Sequence, residues 1–218
     1  MDLADATLDE LRDALAPAIA ANAAFDGWNA AALDAAADSR GVDQDVARLA
    51  FSGGAVAMID AWFASVDRAM AARFTPETLA AMKIRARITA LVEARLEVLA
   101  TNREALRRAI AILAMPQNAV RAAKLGWRSA DVMWRLAGDT ATDYNHYTKR
   151  TLLGGIYAAT IAVFLQDDSE GHVDTRAFLA RRIEDIMKFE KAKAGFLART
   201  SNRPSLSRFI GRLRYPVA

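Results

Sequence analysis

Residues 29–51 read NAAALDAAADSRGVDQDVARLAF, and the fold follows from them. Asn29 to Ala37 is a short helical run. Asp38-Ser39-Arg40-Gly41 is a tight turn with glycine where a positive φ is wanted, and Val42 opens a second short helix. A longer helical pattern over 7–22 precedes them, which gives helix-turn-helix spacing. Outward from this stretch the same 3.6-residue period predicts helices near 55–72, 76–100, 102–115, 117–137, 143–166, 174–200 and 204–214. No alternating period-2 stretch occurs, so the expected class is all-α, with about ten helices. Helix starts are marked by capping boxes at Thr7-x-x-Glu10 and Thr101-x-x-Glu104, by Thr75-Pro76, and by Asp174-Thr175. Stops are expected at Gly27, Gly41, Gly53-Gly54, Pro116 and Gly138. Three regions are expected: 1–72, resembling a helix-turn-helix module; 73–200, a larger helical domain; and 201–218, a terminal amphipathic helix.

A helix-turn-helix ahead of a larger helical body resembles the TetR-type regulators, which implies DNA binding. Charge argues against it. Residues 1–67 hold twelve acids and only three bases (Arg12, Arg40 and Arg48), whereas the whole chain is +3. Readers of DNA draw most of their affinity from Lys and Arg on phosphates. The second short helix offers Asp43, Gln44, Asp45 and one cation, Arg48. The expected partners therefore exclude nucleic acid, and a ligand-responsive TetR-type regulator is kept as the alternative.

Signatures of catalysis are missing. There is no cysteine, hence no disulfide and no thiol chemistry. The two histidines, His146 and His172, are far apart, and no Glu-x-x-His pair or Gly-rich phosphate loop is present. His146 reads as a surface or capping group, and Asp167-Asp168 as turn formers before Ser169-Glu170-Gly171. Gly154-Gly155, inside an apolar helix, suggests close helix packing. Leu91, Leu96, Leu113, Ile156 and Phe164 read as core, with the small residues Ala158, Ala159, Thr160 and Ala162 leaving room for an apolar pocket. No metal or cofactor is expected, and the chain is read as a binding protein that is not an enzyme.

Two stretches look built for contact. One is Thr142-Asp143-Tyr144-Asn145-His146-Tyr147-Thr148-Lys149-Arg150, beside Met133 and Trp134. The other is the C-terminus, where residues 191–218 hold seven Lys or Arg and no acid. There Leu206, Phe209, Ile210 and Leu213 form one stripe, with Arg208 and Arg212 on its flank. A helix this short is marginal in water and folds on a surface. Burying its four apolar side chains contributes up to about 6–12 kcal/mol before ordering costs. Each Arg near anionic lipid adds about 1 kcal/mol, which suits reversible membrane attachment.

Gly138-Asp139, the stretch 142–150, Gly155-Ile156-Tyr157, Gln166-Asp167-Asp168-Ser169, Thr175, Phe178-Leu179 and Arg182-Ile183 together resemble the COQ9 family over most of residues 55–200. The resemblance implies a TetR-like fold that no longer regulates transcription. It also implies binding of an isoprenoid quinone precursor or other lipid, such as a phospholipid, and membrane association through a C-terminal amphipathic helix. The implied partner is the di-iron hydroxylase of demethoxyubiquinone. Carried over, the partner patch comprises Asp131, Met133, Trp134, Asp143, His146 and Arg150; the membrane residues are Leu206, Arg208, Phe209, Ile210, Arg212 and Leu213. His146 departs from the family, whose eukaryotic members usually have Trp there. With lipid binding and dimerisation assigned to 73–200, a homodimer through 143–166 and 174–200 is expected. The first 13 residues hold five acids and one Arg, unlike a signal or transit peptide. The expected setting is therefore a bacterial cytoplasm, peripheral on the inner face of the membrane.

Overall fold

The computed structural model describes residues 3, 5–140 and 144–201, and all regular structure among them is helical. Helix α1 (Leu8–Asp26) opens on the expected capping box. The Glu10 amide donates to Thr7 Oγ1 at 3.3 Å, and the Thr7 amide donates to Glu10 Oε2 at 2.8 Å. Helix α1 runs through Pro17 to Gly27, whose φ of +83° ends it four residues beyond the expected 22. Helices α2 (Ala30–Arg40) and α3 (Gln44–Ala50) form the helix-turn-helix. Asn29 caps the first, Gly41 makes the left-handed turn at φ +66°, and Asp43 caps the second. Helix α4 (Ala55–Ala71) packs on α1, and its Trp62 lies 5.2 Å from the ring of Trp28.

The single helix expected over 76–100 is two, α5 (Pro76–Ala80) and α6 (Ile84–Ala100). The Arg87 guanidinium stabilises the break. Its Nε donates to Met82 O at 2.9 Å and its Nη2 to Ala80 O at 3.0 Å, occupying carbonyls that the interruption orphans. The capping box expected at Thr101–Glu104 does not form. Thr101 keeps helical angles, Asn102 precedes α7 (Arg103–Leu113) without a side-chain cap, and Glu104 pairs with Arg107 and Arg108 instead. A 3-10 turn over Pro116–Asn118 leads into α8 (Ala119–Leu136). Then come α9 (Tyr144–Phe164), a 3-10 turn over Glu170–His172, and α10 (Val173–Ser201). The terminal helix expected at 204–214 lies outside the described residues.

The chain divides into two compact units, up to Leu179 and from Ala180 onward. In the first, α1 packs on α2, α4 and α7, α4 packs on α6 and α8, and α8 on α9, so contacts continue across residue 72. Its core includes Leu15, Ile19, Ile59, Leu91, Leu99 and Met133. Inside this core sits Arg95, fully buried. Arg95 Nη1 donates to Asp67, and its Nε donates to the Tyr157 hydroxyl at 2.6 Å, which ties α6 to α4 and α9. In the described part of the second unit, α10 carries ion pairs one turn apart, Arg182–Asp185 and Lys188–Glu184. No single helix among the described residues is long and apolar enough to cross a membrane.

Candidate functional site

The residues expected to make the partner patch gather where α8 meets α9, and they divide into a buried clamp and an outer face. Gly138 starts the geometry. Its φ is +88°, and a Cβ there would approach Arg87 Nη1 to 3.2 Å, so glycine serves both the turn and the close passage. Asp139 follows, with its carboxylate almost wholly buried between two cations. Lys149 Nζ donates to its Oδ1 at 2.6 Å and Arg150 Nη1 to its Oδ2 at 3.0 Å. Burial pushes this carboxyl up, but the bonds from Lys149 and Arg150 outweigh burial and leave its pKa lowered. Arg150, itself buried, also donates from Nε to Asp131 Oδ1 at 2.5 Å and from Nη1 to His146 O at 3.1 Å. Asp131 receives a second cation, Arg135, at 2.8 Å.

Above the clamp lie aromatic rings. Trp134 is half-buried; its Nε1 donates to Lys149 O at 3.0 Å, and Lys149 Nζ stands 5.4 Å over its ring. His146 and Tyr147 are 5.2 Å apart, and Trp127 lies 5.9 Å from Tyr147, which is 61% exposed. Of the six expected residues, Trp134 and His146 therefore belong to the accessible face. Met133 is fully buried, while Arg150 and Asp131 brace the face from beneath. Asp143 lies outside the described residues, as do all six expected membrane residues, Leu206 to Leu213. The sequence reading did not single out Trp127. Its signal was the spacing from Trp134, seven residues or about two turns on one helix face.

Other expectations on α9 need correction. Among the described residues, no atom outside the local helix lies within 4 Å of a Cβ placed at Gly154 or Gly155, so that pair makes no close-packing contact there. Ala158, Ala159 and Ala162 are exposed, whereas Thr160 is fully buried. A cleft of about 360 Å³ is found elsewhere, between α1, the α3–α4 turn and α4. Asp9, Arg12, Asp13 and Asp60 line it together with Ala50, Ala57, Ala61 and Ala64, so its wall is part charged and part apolar. The Asp167 carboxylate has a structural role. Its Oδ1 accepts from the Ser169 amide at 2.9 Å, and its Oδ2 accepts from the amide and hydroxyl of Thr175 at 2.8 and 2.5 Å. Asp167 thus closes the turn and caps α10 from outside the helix.

Comparison with known proteins gives the same region a name. The COQ9 family model matches residues 119–190, which cover α8, α9 and the first part of α10. The mitochondrial ubiquinone biosynthesis protein COQ9 of Rattus norvegicus is 45% identical over 96 residues, 44% of this chain and 31% of that protein. The Homo sapiens protein of that name is 42% identical over 96 residues, 44% of this chain and 30% of its own length. The aligned segment thus spans about a third of these relatives. The TetR transcriptional regulator from Nitrosomonas europaea superposes with a TM-score of 0.63 at 26% identity, covering 80% of this chain and 97% of its own. Residues 119–190, which hold the whole clamp and its aromatic face, are thus similar to the COQ9 family and are carried on a TetR-like frame.

Proposed function

We propose that this chain is a non-enzymatic accessory protein of ubiquinone biosynthesis. It binds an isoprenoid quinone precursor or another lipid at a membrane surface and presents it to the di-iron demethoxyubiquinone hydroxylase. The observation that carries this reading is the coincidence of the COQ9-family match with the α8–α9 face, where Trp127, Trp134, His146 and Tyr147 sit on a rigid ionic base. Accessible aromatic rings backed by fixed side chains are the usual anchors of protein interfaces. On this reading the hydroxylase docks there, the 204–214 segment attaches the protein to the inner face of a bacterial membrane, and two copies pair through α9 and α10. The oxidation is done by the partner, and this chain supplies positioning and exclusion of water.

Immobilised hydroxylase tests the reading. The unmodified chain is expected to bind, and Trp134→Ala or Tyr147→Ala to weaken binding at least tenfold with unchanged helicity. Equal binding by all three chains would falsify the patch. Native mass spectrometry of the gently purified protein is expected to show a co-purified isoprenoid or phospholipid.

The TetR-like frame favours a second reading, a ligand-responsive transcriptional regulator. Against it, the one cation of α3 is already engaged. Asp34 binds Arg48 through Nε at 3.0 Å and Nη2 at 2.7 Å, and Asp45 binds its Nη1 at 3.1 Å. Around it, α3 presents exposed Asp45, Val46 and Leu49. A gel shift that weakens steeply with salt would favour the regulator.

A further inference from the structure

The corner where α7 passes into α8 carries apolar and cationic side chains that nothing in the described residues covers or neutralises. Asn118 fixes it: its Nδ2 donates to Ile112 O at 2.8 Å and its amide to Met115 O at 2.9 Å. This rigid turn holds Met115 outward at 43% exposure and Val120, on the first turn of α8, at 70%. Arg121 and Lys124 stand exposed beside them and make no ion pair among the described residues. The sequence explains why. No acid occurs between Glu104 and Asp131. The other cations of that interval are engaged, Arg107 and Arg108 with Glu104 and Arg128 with Asp60.

We propose that this corner is a lipid-contact surface on the body of the protein. Met115 and Val120 enter the interface of an anionic bilayer, and Arg121 and Lys124 meet its phosphate headgroups. The charge is complementary, with two unengaged cations in an acid-free interval. The apolar pair is aliphatic and would gain by leaving water. The acidic face of α1–α3 is the opposite case and would be repelled by such a surface.

The contact also orients the molecule. Val120, Trp127 and Trp134 recur at seven-residue intervals and share one face of α8, with Trp134 about 21 Å along the helix from Val120. A bilayer at the corner and a protein on the aromatic face would then lie along the same side of α8. This surface adds to the tail attachment proposed above and does not depend on it or on the hydroxylase.

The chain has no cysteine, so a single Val120→Cys variant of the full-length protein can carry an environment-sensitive fluorophore at this position alone. Vesicles of phosphatidylcholine with about one-third phosphatidylglycerol are expected to blue-shift the label at low salt, and pure phosphatidylcholine far less. Adding Arg121→Gln and Lys124→Gln to the labelled chain is expected to weaken the response about 25-fold, roughly fivefold for each cation lost. A label at Ser52→Cys, in the acidic cleft, should not respond. If the V120C label stays in water while the chain sediments with the anionic vesicles, the tail alone makes the contact and the proposal fails. It fails equally if the label ignores both kinds of vesicle, or if it responds to the hydroxylase without lipid, which would make the corner a protein interface.

Discussion

Arg95 shows how much one buried charge depends on its neighbours. It is fully buried, and its counter-charge, Asp67, is almost so. Asp67→Asn would leave the guanidinium without a compensating charge and is expected to cost roughly 3–5 kcal/mol in urea unfolding. Replacing both partners at once, with Asp67→Leu and Arg95→Met, is expected to cost less than the single change. A double variant weaker than the single one would count against ion pairing as the main role. Acid dependence lies with other carboxylates. Asp167 is the clearest case. Hydrogen bonds from Ser169 and Thr175 hold its carboxyl far below the usual range, so its contribution is present above the unfolded value, near pH 4, and is lost as pH falls. Asp167→Asn should flatten the fall of the thermal midpoint between about pH 5 and pH 2. A slope identical to that of the unmodified chain would exclude Asp167 as a source of that limb.

At the scale of elements, the breaks are as informative as the helices. Arg87 spans three carbonyls, at Ala80, Met82 and, 2.8 Å from Nη1, Ala137. Arg87→Met is therefore expected to lower stability by about 2 kcal/mol or more, since orphaned carbonyls and a lost charged donor act together. Arg87→Lys, a compact cation without the planar fork, should recover only a small part. Chemical denaturation would show this, and full recovery by lysine would mean that charge alone matters. This break was not legible in sequence, because no Gly or Pro marks 81–83 and one of Arg87's bonds reaches a carbonyl fifty residues away. Ends closed by their own neighbours were legible: Thr7 with Glu10, Gly41 and Thr75 before Pro76. Thr101–Glu104 had the same letters and failed, since Thr101 stays helical and Glu104 finds arginines one turn on. Within the patch, sequence indicated Trp134 and His146, but not that Arg150 would turn inward. Only the nearly buried carboxylate of Asp139 and the half-buried Asp131 decide that.

Across the whole molecule, charge and apolar surface are sorted rather than mixed. Acids dominate the helix-turn-helix, while aromatic and cationic groups share the exposed face of α8 and the start of α9. Such sorting favours contacts of different chemistry at different places. The α8–α9 face can be dissected because its accessible rings and its ionic base are different residues. Tyr147 is mostly exposed and makes ring contacts with Trp127 and His146. On the function proposed above, Tyr147→Ala should therefore lower affinity for the hydroxylase tenfold or more and leave unfolding within about 0.5 kcal/mol of the unmodified chain. Arg150→Met should act on both measurements, because it takes one of two cations from each of Asp139 and Asp131, costs about 1.5–3 kcal/mol and releases the start of α9. Binding isotherms set beside urea curves separate the two. Should Arg150→Met lose stability yet bind as tightly as before, the clamp would be only a brace for the fold, and the geometry of the rings above it would not set recognition.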